Sequence, residues 1–485
     1  MIVLDINSEA PLYLQIYKQL KEQIISGEIS EGQKLPSTRK LSTLLNVSRN
    51  TIENAYMQLS SEGYIKSKAG SGFIAQKLDN PTILKQEKID IKTSNFSQSN
   101  IINNNINLSD YNPYYGDGYD YKYNFEYGKL SSEDFPLRIW KRVSNKCLST
   151  VNSEDMTSYS SSTGEIDLQK EIMNYLKASR GVSCTPSQII ISSGSEYCLS
   201  LLCQLFRGYF DKIALEDPGY SGAKDIFINN GYKAIPISLE DDGINLNELE
   251  TTKARIVYTT PSHQFPTGVV MPIAKRLKLL DWAKRKNGII IEDDYDSELR
   301  YNSKPIPSMQ SIDSNDSVIY IGTFSKCFSP SLRMNYMVLP KQWLERYYRH
   351  FKMYQTPVPL IHQKIMQQFM HLGHFERHLH KIYLINKRKH DILIQTIQDL
   401  MGDNVSIYAK NAGLHILLQV NNGLTEEELI NKAKDHSVKV YPVSFFWIKK
   451  ENYSNDMVLL GFGGMLENDI IEGIKLLNEA WLTSQ

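Results

Sequence analysis

Five short apolar runs in this chain each end on residues that can do chemistry. Ile189-Ile190-Ile191 leads into Ser192-Ser193-Gly194, and Ile213-Ala214-Leu215 into Glu216-Asp217-Pro218-Gly219-Tyr220. Ile256-Val257-Tyr258 leads into Thr259-Thr260-Pro261, and Ile289-Ile290-Ile291 into Glu292-Asp293-Asp294. The last, Val318-Ile319-Tyr320-Ile321, runs into Gly322-Thr323-Phe324-Ser325-Lys326, with Arg333 seven residues beyond the lysine. A lysine amine can form a Schiff base with an aldehyde, and a carboxylate such as Asp293 can keep a pyridine nitrogen protonated so that the ring withdraws electrons. Tyr295 can donate to a ring phenolate oxygen. Gly194-Ser195-Glu196 opens a helix whose backbone N–H groups suit a phosphate, and Arg333 can add a bidentate contact.

Together these groups suit pyridoxal phosphate. Each has a bland alternative, since a lone lysine after a strand is usually solvated, Asp293-Asp294 can be a turn or a cap, and Gly-Ser turns are common. The reading rests on their co-occurrence.

Short β-branched runs alternating with helical segments predict an α/β domain, and continuous apolar runs are those of parallel strands buried on both faces. In such sheets ligands bind at the carboxyl ends of the strands, where the polar residues above fall.

The first seventy or so residues read differently. Tyr13, Ile16, Tyr17, Leu20 and Ile24 recur at helical spacing, which predicts one amphipathic helix from Pro11 to Ser26. Ser37 caps a second helix with Leu41, Leu44 and Leu45 inward. Asn46-Val47 then turns the chain into Ser48, the cap of a third helix burying Ile52, Ala55, Tyr56 and Leu59. That leaves Arg49, Asn50, Thr51 and Asn54 outside, in the part of a recognition helix that enters the major groove. Tyr64 to Ile74 reads as a hairpin with a basic, glycine-bearing tip, in which Lys66 and Lys68 neutralise phosphates and Gly70 permits the turn. A three-helix protein-interaction module is the competing reading of the same spacing.

The whole chain has 485 residues, 41% hydrophobic and 22% charged, with 54 Lys+Arg against 54 Asp+Glu. This composition is that of an ordinary globular protein, and zero net charge removes any argument for a bulk polyanion binder while leaving a local basic surface open. No apolar stretch is long enough to span a bilayer, and Met1-Ile2-Val3-Leu4-Asp5 lacks the layout of a signal peptide, so a cytoplasmic protein with no membrane partner is expected. Five cysteines with no Cys-x-x-Cys pair suggest reduced thiols and no zinc site. The histidines His371, His374, His378 and His380 read as part of a solvated helix, and no metal is expected. Residues 78–122 are rich in Asn, Ser, Lys and Asp and read as a linker. The expected organisation is therefore 1–77, a linker at 78–122, and 123–485 with a smaller subdomain from about residue 345.

Leu35-Pro36-Ser37-Thr38-Arg39, Val47-Ser48-Arg49-Asn50-Thr51, Glu62-Gly63-Tyr64-Ile65 and Gly70-Ser71-Gly72, in that order, resemble the winged helix-turn-helix of GntR-family bacterial transcription regulators. Pro261-Ser262-His263-Gln264-Phe265-Pro266-Thr267-Gly268, Ile290 to Glu298 and Gly322 to Lys326 resemble the aminotransferase-type domain of the MocR-type subfamily of those regulators. The resemblance implies a mostly α, winged helix-turn-helix head on a fold-type I aminotransferase body, an α/β domain of seven mainly parallel strands followed by a small C-terminal α/β subdomain. It implies double-stranded DNA as partner, contacted by Ser37, Arg39, Ser48, Arg49, Asn50, Thr51, Lys66, Lys68 and Gly70. It implies pyridoxal phosphate on Lys326, with Asp293 at the ring nitrogen and Tyr295 near the ring oxygen. Ser195, Glu196, Thr323, Ser325 and Arg333 would surround the phosphate, Tyr220 would stack on the ring, and His263 would hydrogen-bond nearby. Tyr159 occupies the place from which a neighbouring subunit reaches the phosphate, implying a homodimer.

The chain departs from that pattern at one point. Amino-acid aminotransferases generally clamp the substrate carboxylate with an arginine in the small subdomain, and no arginine follows Arg388 here. Phe445, Phe446 and Trp447 suggest an apolar wall instead. Three readings follow: a regulator sensing pyridoxal phosphate or an amine or amino acid that reacts with it, a working aminotransferase with a DNA-binding appendage, and a regulator of vitamin B6 synthesis or salvage for which the vitamin itself is the signal. The first is preferred, with no or only partial transaminase activity.

Overall fold

The computed structural model describes residues 2–5, 10–68, 72–76, 119–301 and 307–483. The chain divides into two compact units, Met1–Ile106 and Asn107–Gln485. Residues 78–118 of the expected linker and Gly70 lie outside the described residues.

In the first unit, α1 (Leu12–Ser26) ends at Gly27, which takes the left-handed conformation with φ 85°. Helix α2 (Thr38–Leu45) is capped by Ser37, whose Oγ accepts the Lys40 N–H at 3.2 Å, and α3 (Arg49–Ser61) by Ser48, whose Oγ accepts the Thr51 N–H at 3.2 Å. Between them Asn46 turns the chain at φ 51°, a conformation its short polar side chain tolerates. Ile16, Leu20, Leu41, Ile52, Ala55, Tyr56 and Leu59 form the core. Leu44 does not join it: it is 66% exposed, while Leu41 is buried in the core and Leu45 is half-buried against it. Strands β1 (Ile65–Lys68) and β2 (Gly72–Ala75) pair antiparallel as the predicted hairpin.

The second unit opens with β3 (Tyr123–Asn124), followed by α4 (Ile166–Arg180), β4 (Ile189–Ser192), α5 (Ser195–Phe206), β5 (Lys212–Asp217), α6 (Ser221–Asn229), β6 (Lys233–Glu240) and β7 (Gly243–Ile244). Next come β8 (Ile256–Thr259), β9 (Ile289–Asp294), β10 (Val318–Thr323) and β11 (Asn335–Val338). The sheet order is β4-β11-β10-β9-β8-β5-β6-β7. Adjacent strands from β10 through β6 run parallel, while β11 is antiparallel to both neighbours. The expected seven strands are joined by an eighth, β7, only two residues long and antiparallel to β6.

Successive residues of the isoleucine-rich runs serve opposite faces. Ile213 and Leu215, Ile256 and Tyr258, and Ile289 and Ile291 pack into one core, while Ala214, Val257 and Ile290 pack into another. With both faces covered, the strands can carry polar groups only at their ends.

A smaller layer follows, with α7 (His374–Met401), β12 (Val405–Tyr408), β13 (His415–Val420), α8 (Glu426–Asp435), β14 (Val438–Lys439), β15 (Met457–Gly461) and α9 (Glu467–Asn478). Its sheet is antiparallel in the order β12-β13-β15. Strand β14 pairs parallel with β3, so this layer also takes in residues from the start of the unit. The rings of Tyr119 and Tyr121 lie under Lys434 and Lys439.

Candidate cofactor pocket and nucleic-acid interface

Because β4, β5, β8, β9 and β10 run the same way, their carboxyl ends meet at one edge of the sheet. A cavity of about 170 Å³ opens there, lined by Ser195, Glu196, Tyr220, Asp293, Tyr295, Thr323, Ser325, Lys326 and Arg333 together with Tyr127 and Tyr258. It continues into an outer cavity of about 880 Å³, with Tyr127, Glu196, Tyr220, Phe265, Lys326 and Arg333 lining both.

Lys326, two residues beyond Phe324 and half-buried, places its Nζ 3.9 Å from the centre of the Tyr127 ring. Burial pushes its amine down to about 8, against the opposing pull of Asp296, Glu196 and Asp293. A Cβ on Gly128 would come 2.8 Å from that Nζ, so the close approach of this backbone requires glycine. Asp293, at the end of β9, accepts a hydrogen bond from Tyr258 Oη at 2.6 Å, and burial raises its carboxyl to about 7. The adjacent Asp294 points to the opposite side. It accepts from Arg180 Nε at 2.7 Å and Tyr320 Oη at 2.6 Å, and this company lowers its carboxyl in spite of burial. Alternation along the strand thus separates a carboxylate that faces the cavity from one that locks α4 to the sheet.

Tyr295 Oη lies 3.1 Å from His263 Nδ1, which in turn lies 2.8 Å from Asp296 Oδ2. His263 therefore stands behind Tyr295 and does not line the cavity. Gly194, at φ 96°, opens α5, and its N–H donates to Asn335 Oδ1 at 2.9 Å, anchoring the helix start to β11. Arg333 Nη2 donates to Glu196 Oε2 at 2.7 Å. Thr323 Oγ1 accepts the Ser325 N–H at 3.0 Å. The turn carrying Tyr220 is held by Asp217, whose carboxylate accepts the N–H groups of Ile448 and Lys449 at 2.6 and 2.9 Å. Phe445 and Phe446 of the expected apolar wall line the outer cavity, where Phe446 meets Phe265 edge to face at 4.8 Å, whereas Trp447 lines neither cavity and packs against Tyr453 with ring centres 4.7 Å apart.

Tyr159 is not brought to the cavity: it is 92% exposed. Tyr127, Gly128, Tyr258 and Asn335 were not singled out for the site by sequence. Tyr258 was visible as a polar group at a strand end, whereas Tyr127 and Gly128 sit some 200 residues from Lys326 with no motif around them. Of the four histidines, His371 pairs with Glu171 at 2.9 Å, His374 with Arg377 at 2.7 Å, and His378 with the Cys327 carbonyl at 3.2 Å.

On the first unit, Arg39, Ser48, Arg49, Asn50 and Lys66 are exposed and Thr51 is half-buried. Arg49 Nε pairs with Glu53 at 2.8 Å, one turn along α3. Ser48 Oγ and Thr51 Oγ1 lie 2.8 Å apart, so both help to close the helix start. Lys68 is the last residue of β1.

A model of the aminotransferase class I and II family matches residues 124–452, and a model of the bacterial gntR regulatory family matches residues 12–74. The chain is 38% identical to the HTH-type transcriptional regulator YdeL of Bacillus subtilis, over 98% of this chain and 97% of that one. It is 30% identical, over 99% and 96%, to the probable rhizopine catabolism regulatory protein MocR of Rhizobium meliloti. The chain belongs to the MocR-type subfamily of GntR regulators. The body of this MocR-type regulator is similar to a Pyrococcus horikoshii kynurenine aminotransferase solved with PMP, at TM-score 0.67 and 25% identity over 75% of this chain and 91% of that one. Its fold is thus a GntR helix-turn-helix joined to a fold-type I aminotransferase domain, and its class is that of a DNA-binding transcription regulator.

Proposed function

We propose that this regulator holds pyridoxal phosphate on Lys326 and that the state of that pocket governs DNA binding by the first unit. The observation that carries the reading is the single cavity in which an amine, a pyridine-facing carboxyl, a helix start and an arginine converge from separate strand ends. The residues fit the cofactor. Lys326 has an amine made more nucleophilic by burial, and Asp293 can take the ring nitrogen, where a pyridinium would offset the cost of its buried charge. Tyr295, steadied by His263, would face the ring oxygen, and Tyr220 the ring plane. Ser195, Glu196, Thr323, Ser325 and Arg333 would surround the phosphate. When bound, the cofactor would supply an aldehyde reactive toward amines and an electron-withdrawing ring.

Signalling requires that the ligand interact differently with two arrangements of the protein. A homodimer with shared pockets, in which Tyr159 of each copy reaches the other, would give its exposed ring a role. In the first unit Arg49, Asn50 and Thr51 would read the groove, with Arg39, Ser37, Ser48, Lys66, Lys68 and Gly70 along the backbone, in the cytoplasm.

The test is absorbance of the purified full-length protein near the band of lysine-bound vitamin, in wild type and Lys326→Ala, followed by gel shifts on the neighbouring intergenic DNA with and without the vitamin. Unchanged DNA affinity would remove the sensing step. The second reading, with the vitamin alone as signal, is favoured by the absence of arginine after Arg388 and by the Phe265–Phe446 wall, which offers no carboxylate clamp. It predicts that pyridoxal phosphate shifts DNA affinity with no added amine. A working aminotransferase would instead turn over repeatedly with an amino donor and a keto acid.

A further inference from the structure

Glu196 and Arg333 face each other across the mouth of the helix that the ligand's phosphate would use. Their 2.7 Å pair joins side chains that are 51% and 53% exposed, and both line the cavity that holds Lys326. The pair lies directly over the glycine that opens α5. A Cβ built on Gly194 would fall 2.1 Å from Arg333 Nη2 and 2.6 Å from Glu196 Oε2. The first N–H groups of a helix have no partner within it and attract negative charge. A carboxylate of the chain itself therefore stands where the helix start and the arginine together favour an anion.

We propose that Glu196 determines the affinity for phosphorylated ligands by competing with the ligand's phosphate for Arg333. The inference rests on the pyridoxal phosphate reading and changes one role within it, since Glu196 opposes the phosphate rather than binding it. A phosphate monoester carries nearly two negative charges at neutral pH. To pair bidentately with Arg333 it must displace Glu196, and the released carboxylate remains a like charge within the first turn of that helix. The consequence is a hold weak enough for occupancy to follow ligand concentration. The alternative role, Glu196 as a strut that positions Arg333 for the phosphate, predicts the opposite sign on substitution.

The experiment titrates the vitamin-free full-length protein with pyridoxal phosphate and with pyridoxal, following absorbance, for wild type, Glu196→Gln and Glu196→Ala. The expected result is pyridoxal phosphate bound about tenfold more tightly by both variants, with pyridoxal changed by less than about twofold, because only the phosphorylated aldehyde meets the competition. Unchanged or weaker binding of pyridoxal phosphate, or an equal gain for both aldehydes, overturns the proposal. Inorganic phosphate provides an arm that needs no covalent bond: it should raise the melting temperature of Glu196→Gln more than that of wild type. If neither aldehyde attaches to wild type, the cofactor reading fails. The phosphate arm then decides for Glu196 alone, a larger shift supporting competition and equal shifts overturning it.

Discussion

Lys326 and Asp293 are moved from their ordinary ranges by the same leading cause, loss of water, and the direction of each shift leads to a pH dependence. Burial disfavours the ammonium and the carboxylate alike, so the lysine falls to about 8 and the aspartate rises to about 7. Below about 8 most of the amine is protonated and cannot attack an aldehyde. The rate of covalent attachment of pyridoxal phosphate should therefore climb by up to about tenfold per pH unit toward 8 and level off above it, measured by borohydride trapping and mass spectrometry. Lys326→Ala should abolish trapping at every pH while the protein still folds. Asp294 tests the opposite case, a buried charge with a partner. Arg180→Ala would strand that carboxylate, and a loss of about 3–5 kcal/mol in denaturant melts is expected.

At the scale of elements, α3 illustrates how local sequence sets function. Ser48 closes the helix start, so Arg49 and Asn50 emerge in the first turn, clear of the core that Ile52, Ala55 and Tyr56 make. Arg49→Ala should cost about 1–3 kcal/mol of specific over non-specific binding in a gel-shift competition. Lys66→Ala should weaken all sequences alike and lower the slope of log affinity against log salt by about 1. These elements were legible because caps, spacing and turns lie within a few residues of one another. The exception, Leu44, shows the limit: in a helix of eight residues apolar spacing does not tell which leucine meets its neighbour. The two-residue strands β3, β7 and β14 left no periodic signal, since a period of two cannot register over two residues.

At the scale of the whole molecule, the proposed dimer carries the remaining prediction. The full-length chain should sediment as a dimer, and Tyr159→Phe should weaken pyridoxal phosphate without changing sedimentation; a monomer would remove the role assigned to Tyr159. By itself the sequence determined the order of modules, the winged helix-turn-helix, the isoleucine-rich strands and the polar strand ends, because each is written in contiguous residues whose types have few other uses. Tertiary structure decided which of those ends share a cavity. It set Tyr127 and Gly128 against a lysine some 200 residues away, put His263 behind Tyr295, and turned Asp293 inward while Asp294 faced Arg180. Those choices follow from strand order and from packing on two faces of one sheet, which bring distant segments together through contacts that no local pattern encodes.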